Sequence, residues 1–150
     1  MTRPTLSMFG AAGAVVGAVG IPVGAALPWI LSGSAKKSAF SLAKSARELG
    51  LASAADDLGI ANETVVRVLL WTLFSSPMLA GVIVLLLAFG KRNVVAIFSV
   101  LSGLIGVVAG AAGVAVNDTS LSGPRVTLLA GVCALGGAVC LFAHRLRQRS

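Results

Sequence analysis

Cys140 and His144 stand at i and i+4, a spacing that lets two ligands share one metal ion on a helical face. Two ligands do not make a site, because structural zinc takes four and catalytic zinc three. His144 therefore reads as an interface histidine beside a basic tail. Cys133 and Cys140 are seven residues apart, which on a helix is about 10.5 Å along the axis. That is too far for a disulfide. The adjacent carboxylates Asp56 and Asp57 have no base or nucleophile beside them in the sequence, so they read as solvated loop charge. No Cys-x-x-Cys, Walker loop or paired carboxylate lies on an apolar run. The sequence predicts no enzyme, no cofactor and no metal.

What would position such residues is set by composition. The chain has 150 residues, of which 57% are apolar and 11% charged, with a mean hydropathy of +0.96. A soluble domain carries roughly 25% charged residues. Crossing about 30 Å of hydrocarbon takes roughly 20 helical residues, and four apolar runs suffice: Leu6 to Leu31, Val68 to Phe89, Val94 to Val116 and Val126 to Ala143. None contains Asp, Glu, Lys, Arg or His. The expectation is an all-α integral membrane four-helix bundle in one domain, 1–150. Its spans cover about 6–31, 68–89, 94–116 and 126–143, with one longer, partly helical outer loop at 32–67. Gly90-Lys91-Arg92-Asn93 joins the second and third spans as a tight helical hairpin.

The net charge of +7 could suggest nucleic acid, but its placement suggests orientation. An even number of spans puts both termini on one side, with Arg3, Lys91, Arg92, Arg145, Arg147 and Arg149 and no acid. The other side has Lys36, Lys37, Lys44, Arg47, Arg67 and Arg125 against Glu48, Asp56, Asp57, Glu63 and Asp118. Basic residues crowded into short segments at the membrane mark the cytoplasmic side. Both termini and the Lys91-Arg92 turn are thus expected in the cytoplasm, with Lys91, Arg92, Arg145 and Arg147 at the interface. Trp29 and Trp71 are expected at the outer interface, where indole rings are enriched. A cleaved signal peptide is the rival for the N-terminus, with Arg3 as its basic start and Gly33-Ser34-Ala35 as the cleavage site. The first apolar run far exceeds the usual 7 to 15 residues.

Glycine placement is the strongest pattern. Gly10, Gly13, Gly17, Gly20 and Gly24 on the first span, and Ser99, Gly103, Gly106, Gly110 and Gly113 on the third, alternate spacings of three and four. Such rows of small residues let helix backbones approach closely in lipid. Ala130, Cys133, Gly137 and Cys140 repeat the row more weakly on the fourth span. The rows either hold one subunit together or join it to others, one row serving within the subunit and another between copies. Glycine-lined spans resemble the ring subunits of rotary ATPases, which need a mid-membrane carboxylate that is missing here. Pro22 and Pro77 each remove a backbone donor within a span and predict kinks.

In the loop, Ser34 to Leu49 reads as a helix with Ala39, Leu42, Ala43, Ala46 and Leu49 on one stripe, capped by Ser34 and ended by Gly50. A second short helix is expected at Ala52 to Leu58, and Asn62 caps the second span. The segment from Ala55 to Val68 resembles the helix-turn-helix of the lactose-repressor family at Ala55, Gly59, Ile60, Thr64, Val65, Arg67 and Val68. There the glycine makes the turn and the Thr-Val segment opens the recognition helix, so the resemblance implies DNA binding. Here that helix runs into Leu69-Leu70-Trp71, and Asp56, Asp57 and Glu63 would face a polyanion. The simpler reading is a turn between packed helices, with no nucleic-acid partner.

The expected function is a non-enzymatic integral membrane subunit of a bacterial cell membrane. It would assemble with, or stabilise, a larger complex through its glycine-rich helix seams and outer loop. Its partners are the lipid bilayer and other membrane subunits or copies of itself. The alternatives are a self-associating pore of the holin kind, and a small carrier for an apolar or lipid-like solute.

Overall fold

The computed structural model describes residues 3–32, 35–50, 63–116 and 121–149. In chain order these form α1 (Arg3–Ala26), β1 (Pro28–Ser32), β2 (Ala35–Ser38), α2 (Ala39–Leu49), α3 (Glu63–Ala88), α4 (Arg92–Val116) and α5 (Ser122–Arg149). Four of the helices, α1, α3, α4 and α5, are long and apolar enough to cross a membrane.

Element ends follow local chemistry more than hydropathy. The expected first span to Leu31 is too long: α1 stops at Ala26. Pro28 has no N–H to donate and disfavours helical backbone at Leu27. Leu27 N–H closes the last turn on Val23 and Gly24 oxygens, each at 3.2 Å. The chain then forms an antiparallel β1–β2 pair that aligns Ile30 with Lys37 and Leu31 with Lys36. The expected helix start at Ser34 is corrected accordingly. Residues 35–38 are strand, and Ser38 caps α2, its Oγ accepting the Ser41 N–H at 3.2 Å. Gly50 ends α2 with φ of 95°, a backbone open to glycine without strain.

α3 and α5 exceed their apolar runs, starting at Glu63 and Ser122, and α5 continues through the basic tail to Arg149. Pro124 fits the first turn of α5, where a missing N–H costs no helical bond. The predicted helix at 52–58 and the Asn62 cap lie outside the described residues. The α3–α4 turn is a Schellman motif: Lys91 N–H bonds Leu86 O at 2.9 Å, Gly90 N–H bonds Leu87 O at 3.0 Å, and Gly90 takes φ of 68°.

α5 is the central helix. Positions Gly10, Gly13, Gly17, Gly20 and Gly24 of α1 face Leu141, Gly137, Ala134, Ala130 and Thr127, which descend along α5. Gly103, Gly106, Gly110 and Gly113 of α4 face Leu135, Gly131, Leu128 and Pro124 on its other side. α1 and α4 therefore run parallel, with α5 antiparallel between them. A Cβ on Gly17 would lie 2.5 Å from the Ala134 N, and one on Gly137 would lie 2.5 Å from the Ala14 N. No rotamer change relieves a clash with backbone. The row of α5 that meets α1 runs through Ala134 instead of Cys133, whose side chain is exposed.

α3 packs mainly along α1, and its turn places it beside α4. Of its apolar window 28% is buried, against 44% for α4. Helix α3 runs through Pro77, which leaves the Leu73 carbonyl without its usual donor. The Ser76 hydroxyl donates to that carbonyl at 2.6 Å, supplying the missing bond.

Candidate functional site

The helix ends gather charged and aromatic side chains at two concavities. At the hairpin end, the turn between α3 and α4 meets the last turns of α5. Lys91, Arg92, Asn93, His144 and Arg145 line a cavity of about 280 Å³ floored by Leu141. Arg92 also reaches across to α1, its Nη1 donating to Ser7 Oγ at 2.9 Å. Basic residues far apart in sequence thus share one end of the bundle. Among the described residues, no group of three His, Cys, Asp or Glu could hold a metal. Cys133 and Cys140 are free thiols. Asp56 and Asp57 lie outside the described residues.

At the opposite end, protein encloses Trp29. It is 1% exposed, and its indole N–H donates to Gly24 O at 2.9 Å. The ring fits against Gly113 and Gly123, where a Cβ would collide with it. Trp29 is a packing residue between helix ends, whereas Trp71 on α3 is 68% exposed. Ser99 is fully buried, and among the described residues its hydroxyl has no hydrogen-bond partner.

Trp71 borders the second concavity, a groove of about 680 Å³ between α2 and α3. α2 holds its place because Ala39 and Leu42 enter the core formed with Trp29, Val66 and Leu70. Its next face supplies Phe40, Ala43, Lys44 and Arg47 to the groove, and α3 supplies Arg67, Leu70, Trp71 and Phe74. Phe40 and Phe74 meet edge to face with ring centroids 6.3 Å apart, and Trp71 and Phe74 do so at 6.4 Å. Lys44 also pairs with Glu48 at 3.9 Å on the exposed side of α2. The start of α2 therefore lies against Phe74 while its end approaches the start of α3, so the two helices are antiparallel.

Sequence reading missed this groove. Its signal is a shared spacing: Phe40, Lys44 and Arg47 on α2, and Arg67, Trp71 and Phe74 on α3, each at i, i+4 and i+7. That spacing puts three side chains on one helical face, and the antiparallel arrangement places cations at one end and aromatic rings at the other. The repressor-like stretch overlaps it. Thr64 to Val68 open an unbroken 26-residue α3, with Val66 buried, while residues 55–62 lie outside the described residues.

Four helices of this length and composition define the class, a multi-pass membrane protein. No family model, curated protein or solved structure matches the chain. Function is therefore argued from these residues alone.

Proposed function

We propose that the chain is a non-enzymatic integral membrane subunit of a bacterial cell membrane, and that α3 is the helix that meets its partner. The supporting observation is where the small residues are spent. The glycines of α1 and α4 face α5 within one chain, which supports the reading in which the rows hold one subunit together. α3 carries no such row, and large side chains fill its outward face, with Met78 77% and Leu85 59% exposed. Without a hydrophobic drive between helices in lipid, association depends on side-chain fit, and a face of Met and Leu suits a shaped partner surface. The basic hairpin end is assigned to the cytoplasm with both termini, because Lys and Arg concentrate on that side of bilayers.

Photo-crosslinking side chains at Met78 and Leu85, compared with Leu104 and Val108 on α4, test this reading in intact cells. The expected result is one defined protein adduct from the α3 positions and none from α4. Lipid adducts alone from all four positions, together with purification of a lone monomer in mild detergents, would sink it.

A further inference from the structure

We propose that the groove between α2 and α3 is a binding site for an anionic phospholipid of the surrounding bilayer. The proposal rests on the polarity of the groove and stands independently of the partner assigned to α3. Arg67 and Phe74 lie seven residues apart on α3, which is about 10.5 Å of helix. Over that length the lining changes from guanidinium groups, Arg47 and Arg67, to a cluster of aromatic rings, Phe40, Trp71 and Phe74. An amphiphile with a phosphate at one end and an acyl chain at the other has the same gradient. Arginine suits the phosphate because its planar fork donates two parallel hydrogen bonds.

The charge at the groove favours an anion. Lys44, Arg47 and Arg67 line it, and Glu48 lies beside Lys44 on its rim. Among the described side chains, that carboxylate offsets one of the three cations, and the lining keeps a net positive charge. The groove volume of about 680 Å³ falls within the range of roughly 300–1,000 Å³ common for small-molecule sites. The hairpin-end cavity also carries cations, but it is smaller, and among the described residues Leu141 and Val94 are its only large apolar side chains. Its described lining holds no Phe or Trp on which an acyl chain could lie.

Trp71 reports on occupancy directly. The purified full chain is placed in nanodiscs of phosphatidylcholine containing a small fraction of lipid brominated on its acyl chains, either phosphatidylglycerol or phosphatidylcholine. The Trp71 signal is taken as the difference from a Trp71→Phe variant. The expected result is stronger quenching by the brominated anionic lipid, with an apparent preference of roughly tenfold. That preference should vanish in Arg47→Gln/Arg67→Gln and persist in Lys91→Gln/Arg145→Gln, which alters only the other basic end. Equal quenching by both lipids would overturn the proposal by reducing the groove to ordinary lipid contact. A preference retained in the Arg47/Arg67 variant, or no quenching by either lipid, would overturn it too. Thermal unfolding of each variant identifies any that fails to fold, and single substitutions Arg47→Lys and Arg67→Lys then replace it. They should keep attraction to the headgroup while weakening the preference.

Discussion

Where α1 and α4 meet α5, backbone atoms set the distance between helices; where α2 meets α3, large side chains set it and leave a groove. The contrast follows from how helices associate in lipid. Close approach gathers many small dispersion contacts, and glycine permits it. A helix that presents Trp, Phe and Met keeps its neighbours further away. The first region of this molecule has no room for an occupant, and the second has room for one.

The largest effect should come from filling both faces of α5. Gly131→Val with Gly137→Val sets a side chain against Val107 N on α4 and Ala14 N on α1, each 2.5 Å from the added Cβ. Overpacking costs about 1–3 kcal/mol per site, occasionally more, and the two faces share no glycine. Loss of the folded species on size-exclusion chromatography in detergent is expected. If the protein instead stayed folded with its unfolding temperature unchanged, backbone contact would not be what holds the three helices.

Trp29→Ala should follow, at about 3–5 kcal/mol for an aromatic core truncation, read by chemical unfolding in mixed micelles. A neutral result would place the ring in lipid instead of between helix ends. A sharper comparison uses two adjacent glycines. Nothing lies within 4 Å of a Cβ on Gly136, whereas one on Gly137 meets backbone. Gly136→Ala should be neutral or stabilising by up to about 1 kcal/mol, and Gly137→Ala should lower the unfolding temperature. Equal shifts would erase the distinction. The smallest effect belongs to α3: Ser76→Ala removes the donor to Leu73 O and should cost about 0.5–1.5 kcal/mol. Hydrogen exchange at the Pro77 turn would show the loosening.

Much of the helical scaffold is legible in the sequence, because a span must satisfy its own backbone over the whole hydrocarbon thickness. Charge-free runs of about 20 residues therefore announce themselves. Ends are less legible, since apolar residues continue past Ala26 while Pro28 has already stopped the helix. Trp29 shows the same limit. An indole near the end of an apolar run suggests an interface, and only the hollow left by Gly113 and Gly123 shows that it is enclosed. The groove was hidden because its two triplets lie on different helices and each alone looks like an ordinary surface.

The sequence by itself determined the number of apolar helices, the hairpin at Gly90, the absence of charge within the apolar runs and the rows of small residues. Each is a property of one helix or one turn, governed by local backbone chemistry and transfer into hydrocarbon. The tertiary structure alone decided that two glycine rows converge on α5, that Trp29 is buried while Trp71 is exposed, and that α2 and α3 align their cations. Those outcomes depend on which faces meet, and a glycine row fits any sufficiently small surface until the competing helices are placed.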